Sequence, residues 1–493
     1  MRRHWIDGRP AGAKRPGIAV LDPATGELLA SVARGTRDDA DLAVRAARGA
    51  FADWRFVPGV EKAAMLHEVA RRMRASHHEL ATTMTREGGK PYCENYDEVE
   101  WSAACFDYYA EVGRDARGSS IPPVAPHQVN FTIKEPYGVV AAIVPWNYPL
   151  LLLSWKVAPA LAAGNTVVIK PSEETPLATL DLAAAFSALP RGAVNIVNGI
   201  GGEVGEALVT HPGVDLVAVT GSLATGRRVG ELCAREIKKC HLELGGNDPF
   251  IVFPDADLEV AARGAVWAAF LNAGQVCTSG KRFFVFDEIY DEFVARAVKF
   301  AKSLRLGHGL DPRTDIGPLI NARQLADVEA RVAEAVADGA RVLTGGRRSR
   351  KHRQGFFFEP TILVDIRPEM RIVATETFGP TMPIQRVRGI EEAIALANAQ
   401  EYGLGANIYT NNMEWAMTAM ERITAGTFWI NDPLTDNEAG PFGGMKKTGH
   451  SRELGIEGLD EFRETKHVHL DWKQEVKPYW YPYEKYNRLR REE

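Results

Sequence analysis

Residues 139–170 read VVAAIVPWNYPLLLLSWKVAPALAAGNTVVIK, and this stretch decides the fold. VVAAIV (139–144) is a short apolar run with the pattern of a buried strand. A helix-like stretch runs from Leu150 to Ala163, Gly164 stops it, and TVVIK (166–170) is a second strand. The rhythm continues downstream. PLATLDLAAAFSAL (176–189) is a helix with Pro176 near its first turn, and AVNIV (193–197) is a strand. GGEVGEALVTH (201–211) is a helix, VDLVAVT (214–220) a strand, a further helix follows Gly221, and HLEL (241–244) is a strand. This alternation predicts a parallel sheet with helices on both faces, a fold that binds ligands at the carboxyl ends of its strands.

The alternation resumes from Phe250 to about Ile430. FIVF, KRFFVF, IGPLI, RVLTGG and TFWIN read as strands or strand edges, with Ala-rich helices at 256–272 and 321–338. Two α/β units are expected. The segment 118–137, with strand-like VNFTIKEP, reads as an excursion from the first unit.

Composition narrows the function classes. Of 493 residues, 59 are Lys or Arg and 64 are Asp or Glu, a net charge of −5 that gives no reason to expect nucleic-acid or membrane-surface binding. At 45% hydrophobic and 25% charged, the chain is neither disordered, collagen-like nor a disulfide scaffold. Five scattered cysteines (93, 105, 233, 240, 277) without a CxxC pair predict a reduced, cytoplasmic protein and no metal site. The basic start lacks an apolar core, so no secretory signal is expected. The most apolar stretch, 139–163, is broken by Pro145, Asn147, Pro149, Lys156 and Pro159 and makes a poor membrane span.

Several motifs carry chemistry. Gly199, Gly201, Gly202 and Gly205 fail the GxGxxG spacing, because Val204 stands where the third glycine belongs. TGSLATG puts Gly221, Ser222 and Gly226 between a strand and a helix, where free N–H groups can meet a phosphate. GQVCTSGKR (274–282) sets Cys277 in a small polar turn, a place for an accessible thiol rather than an inert core one. LELGGNDP (242–249) ends a strand with Glu243, either a base or an ion-paired surface acid. PWNYP (145–149) holds Asn147 between prolines, either a turn former or a donor aimed at an oxyanion.

With KPSEETP at 170, ETFGP at 376 and PFGGMKKTGHSRELG at 441, these motifs make residues 5–470 resemble the NAD(P)-dependent aldehyde dehydrogenases that hydrolyse their thioester. The resemblance implies a Rossmann-type cofactor domain (1–117 and 138–245), a second α/β catalytic domain (246–445), and a small β oligomerisation arm (118–137 and 446–493). It puts Cys277 on the nucleophile, Asn147 with the Cys277 N–H on the oxyanion site, and Glu243 on the base. Lys170 and Glu173 fall on the adenosine ribose positions, Gly221 and Ser222 below the pyrophosphate and nicotinamide, Leu244 and Gly245 at the nicotinamide end, and Glu376 and Phe378 beside the nicotinamide ribose and ring. Trp146 falls near the adenine-side strand end or simply packs. A carboxylate at 173 accepts from a ribose hydroxyl and repels a 2′-phosphate, so NAD is expected over NADP.

The resemblance also implies an aldehyde tunnel. Tyr148, Leu152 and Trp155 share one helix face, Glu98 and Trp101 a face of an earlier helix, and Val276, Thr278 and Phe442 with the loop 432–440 complete the wall. Aromatic walls suit an apolar or aromatic aldehyde, or a quaternary ammonium one; Glu98, Asp436 and Glu438 either add negative potential or are solvated acids. Two alternatives stand beside hydrolysis: a CoA-acylating relative, against which Glu243 argues, and a non-catalytic descendant, which has no reason to keep Cys277, Glu243 and Asn147 together. The family implies a homodimer or homotetramer, with 118–137 pairing to the strand-like TKHVHLD (465–471). The chain then runs on through Tyr479, Trp480, Tyr481, Tyr483 and Tyr486, a tail expected to cross the dimer near the partner's tunnel mouth, with packing on its own subunit as the alternative.

Overall fold

The structure is a computed structural model and describes residues 1–12, 17–115 and 117–483. The strands Val139–Ile143, Thr166–Lys170, Val194–Ile196, Leu216–Thr220 and Lys239–Glu243 form a parallel sheet. Its order runs from 239–243 through 216–220, 139–143 and 166–170 to 194–196, and the N-terminal hairpin His4–Ile6/Arg9–Ala11 extends it antiparallel. The central strands are buried along almost their whole length, as parallel strands covered on both faces must be. Asn147, Lys170, Gly221 and Glu243 all sit at or just past the carboxyl ends of these strands.

A second seven-stranded sheet runs in the order 341–344, 361–364, 381–387, 280–286, 248–252, 405–409 and 427–430, parallel except for its first pair. The expected strand at IGPLI is absent. Ile316 makes only an isolated bridge to Leu306, because Pro318 cannot join a ladder and packs instead against Gly89. GGEVGEALVTH is helical but opens with a π-helical turn at 201–205 before the short α-turn at 206–209.

Gln128–Pro136 pairs antiparallel with Arg463–Asp471 over nine residues, and Ser120–Ile121 adds a short third strand. Four helices that the strand–helix rhythm did not reveal, 37–54, 59–75, 77–88 and 92–112, precede the first parallel strand. The first is started by a capping box, in which Thr36 and Asp39 satisfy each other's backbone N–H. Val276, Phe442 and Leu454 from the second half of the chain join the core of the first half, and the site lies on that seam. Among the described residues no helix is long and apolar enough to cross a membrane.

Candidate active site

Cys277 sits beyond a turn that few sequences can make. Asn272, Ala273 and Gly274 all have positive φ (48°, 54° and 73°), and a Cβ on Gly274 would lie 2.1 Å from the Gly379 carbonyl oxygen. The turn is stitched to Asn147. The Asn147 amide donates to the Gln275 carbonyl at 3.1 Å, and the Asn272 amide donates to the Asn147 carbonyl at 3.2 Å. This hydrogen bond fixes the direction of the Asn147 amide, which has a second N–H to donate.

Asn147 is held from behind as well. Glu98 accepts from the N–H groups of Leu150 (2.9 Å) and Leu151 (3.1 Å), at the start of the helix Leu151–Ala162, and pairs with Lys90. Lys90 Nζ lies 3.7 Å from the Tyr148 ring centroid. Glu98 is therefore neither a tunnel acid nor a solvated one. It is 0% exposed, whereas Trp101, expected on the same helix face, is 46% exposed and turned to the cavity.

Glu243 is buried, and among the described residues neither carboxylate oxygen has a hydrogen-bond partner. Burial, reinforced by Glu453, holds its carboxyl well above the ordinary range. Glu453 pairs with Lys156, whose ammonium also donates to Thr220 Oγ1 at 2.5 Å. The Cys277 thiol is pushed up in the same way, first by burial and then by Asp248, Glu376, Asp436 and Glu243.

On the other side of Cys277, the Glu376 carboxylate lies over Gly245, where a Cβ would stand 2.2 Å from it, and accepts from the Gly246 N–H at 3.4 Å. Burial raises it to about 7, against the pull of Lys281. The Trp146 ring stands edge-on to Phe378 at 5.5 Å. Lys170 is buried and donates to the carbonyls of Pro171 (2.7 Å) and Gly199 (2.9 Å), with the half-exposed Glu173 carboxylate 3.5 Å away. Ser222 caps the helix Leu223–Glu236 by accepting from Thr225 N, and Leu244 packs on Gly226, where a Cβ would stand 2.4 Å from it.

A cavity of about 410 Å³ opens onto Cys277. Trp101, Tyr148, Leu152, Trp155, Val276, Thr278 and Phe442 all line it, and the rings of Trp155 and Phe442 meet at 4.8 Å. Its acids are Glu94, Asp97, Asp436 and Glu438, and among the described residues no Lys or Arg lines it. Asp436 is exposed on the cavity wall, beside Glu438. Burial raises Glu94 to about 8. No group of His, Cys, Asp and Glu among the described residues could hold a metal ion.

The sequence reading missed Glu94, Lys90, Lys156, Asn272 and Gln275, and assigned no role to Glu453 inside GHSRELG. Glu453 and Lys156 are 297 residues apart, and no spacing signal spans that distance.

The family model described as "Aldehyde dehydrogenase family" matches residues 10–468. Betaine aldehyde dehydrogenase of Bacillus subtilis is 41% identical over 95% of this chain and 97% of that protein. The NADP(+) succinate-semialdehyde dehydrogenase GabD of Escherichia coli is 40% identical over 94% of this chain and 95% of its own. A crystal structure of Staphylococcus aureus betaine aldehyde dehydrogenase in complex with NAD+ superposes with a TM-score of 0.95 at 35% identity, covering 97% of each chain.

Proposed function

Because the chain belongs to the aldehyde dehydrogenase family, and is thus an aldehyde-oxidising oxidoreductase, we propose that it oxidises a cationic or uncharged aldehyde to the carboxylic acid through a thioester on Cys277, with NAD as its cofactor. The observation that carries this reading is Cys277 on an acid-lined aromatic cavity, beside an Asn147 amide already fixed in direction.

In this reading the Cys277 sulfur adds to the aldehyde carbon, and the proton of the thiol leaves for solvent or a carboxylate nearby. The oxyanion of the thiohemiacetal takes the second Asn147 N–H and the Cys277 backbone N–H. Bound NAD supplies the two-electron acceptor that turns the thiohemiacetal into a thioester. Glu243, once deprotonated, takes a proton from water, and the resulting hydroxide attacks the thioester and releases the acid. Lys156 and Glu453 lie beside Glu243 and set how readily it gives up its own proton.

The residues fit a dinucleotide. Gly201 and Gly202 leave open space, the Ser222-capped helix offers its N-terminus, and Glu376 is short of donors for a carboxylate. In this reading Lys170, Glu173, Gly221, Ser222, Leu244, Gly245, Glu376, Phe378 and Trp146 hold it. Glu173 supports NAD over NADP, even though the Escherichia coli relative is an NADP(+) enzyme.

The cavity's four acids, with no cation lining it among the described residues, argue against an anionic aldehyde such as succinate semialdehyde. With its tryptophans they favour an amino or quaternary ammonium aldehyde. We further propose the domain division at 117, 138, 245 and 445, a cytoplasmic location, and a homo-oligomer. The three-stranded arm supports the last by exposing Ile121, Val129, Ile133 and Leu470. The tail, too, is open on its own subunit. Tyr479, Trp480, Tyr481 and Tyr483 are each more than half exposed, which goes against packing there; Tyr486 lies outside the described residues. NADH production from betaine aldehyde, a neutral aromatic aldehyde and succinate semialdehyde, with and without CoA, tests the reading. Acid formation without CoA and the lowest kcat/KM on succinate semialdehyde are expected. A requirement for CoA, or a preference for the anion, overturns it.

A further inference from the structure

The chain as a whole is acidic, but residues 347–353 read RRSRKHR. This segment helps form a groove of about 760 Å³ that shares no lining residue with the aldehyde cavity. One wall is the stretch 305–314, the other is 351–357, and Ala24 and Thr25 from the N-terminal half close the end. Four fixed cations line it, Arg305 and Arg313 on the first wall and Lys351 and Arg353 on the second, against the single carboxylate of Asp311.

The two walls differ in how their charge is met. Arg305 pairs with Asp315 at 3.1 Å and Arg313 with Asp311 at 2.8 Å. Lys351 and Arg353 have no carboxylate within 4.0 Å among the described residues. The groove is also built before any ligand arrives. Phe356 N donates to the Pro23 carbonyl at 3.0 Å, and Gly355, at φ +75°, lies so close that a Cβ would stand 2.2 Å from the Ala24 carbonyl oxygen. His352 donates through Nε2 to the Leu306 carbonyl at 2.9 Å, which joins the two walls and turns Nδ1 away from that bond.

We infer that this groove binds a small polyphosphate anion, of the class of a nucleoside di- or triphosphate or an inorganic polyphosphate. Guanidinium and ammonium groups on facing walls match an anion with charge at both ends, where a monocarboxylate reaches only one. The volume lies within the range of small-ligand sites, roughly 300–1,000 Å³. A long nucleic acid fits poorly, because Glu329 and Glu359 flank the basic segment and take up Arg348 and Arg347. A ligand seated here touches both halves of the chain.

The test is isothermal titration of the full chain with tripolyphosphate, pyrophosphate and ADP, in the presence and absence of NAD, at low and at physiological salt. One saturable site per chain is expected, retained with NAD present and weakened by salt. The Lys351→Gln/Arg353→Gln variant should lose about tenfold or more in affinity. Its thermal midpoint and NADH production without added anion should match the wild type. Tighter binding of ADP than of pyrophosphate identifies a nucleotide; equal binding identifies the phosphate chain alone. No saturable binding at millimolar concentrations, binding unchanged in the variant, or tighter binding of a short nucleic acid than of any of the three overturns the inference. None of these outcomes touches the chemistry at Cys277.

Discussion

Glu98→Gln should cripple the enzyme without touching the cavity. The carboxylate is fully buried, and its Oε1 accepts two backbone N–H groups at the head of the helix that follows Asn147. A carboxamide oxygen can keep both bonds but turns its NH₂ toward Lys90, so a buried ammonium faces a donor in place of a carboxylate. Breaking a buried pair this way costs about 3–5 kcal/mol. The two surviving bonds drop from charged to neutral acceptors, about 1 kcal/mol each. Lys90 also approaches the Asn147 carbonyl at 3.4 Å, so its displacement moves the oxyanion residue. The expected result is a loss of roughly 5–7 kcal/mol in urea unfolding at fixed protein concentration, and a fall in kcat larger than any rise in KM. Adding Lys90→Met removes the stranded ammonium, so the double variant should recover part of the loss rather than sum the two. A Glu98→Gln enzyme within about 1 kcal/mol of wild type, with unchanged kcat, refutes the anchoring argument.

Three further outcomes follow from the geometry. Because burial and four carboxylates hold the Cys277 thiol up, its alkylation by iodoacetamide in the cofactor-free enzyme should be slow at neutral pH. It should rise about tenfold per pH unit as the thiolate forms, and a plateau below pH 8 contradicts this. Glu173→Ser should narrow the NAD:NADP ratio of kcat/KM about tenfold by removing a like charge, and equal values in the wild type refute the charge argument. Truncation after Lys473 should lower the assembled mass or raise KM for bulky aldehydes while kcat for a small aldehyde holds. Unchanged mass, thermal midpoint and selectivity rule out a role for the tail in assembly or access.

What was legible in the sequence was local. The parallel strands were visible because both faces of 139–143 and 166–170 are buried, which writes an unbroken apolar run into the chain. Their settings at strand and turn ends made Cys277, Asn147 and Glu243 candidates, but left Asn147 and Glu243 open to plainer readings, and their roles came from the family resemblance. The helices at 37–88 were not read, because they follow one another with no strand between them, and 92–112 was read only as the helix that carries Glu98 and Trp101. Glu98 was misjudged because an acid on a helix carries no sign of the Leu150 and Leu151 N–H groups 52 and 53 residues away that it satisfies. IGPLI misled because its apolar residues are buried in a loop rather than in a ladder. The basic groove was masked by a net charge of −5, an average that hides a seven-residue reversal.

The central claim is that Cys277 carries an acyl group that Glu243 releases. Glu243→Gln, mixed with NAD and aldehyde and followed in a single turnover, tests it most directly. The account predicts a burst of one NADH per active site, then a stall, with the acyl mass on the Cys277 peptide. No burst and no adduct would show that Glu243 acts before electron transfer and contradict the account.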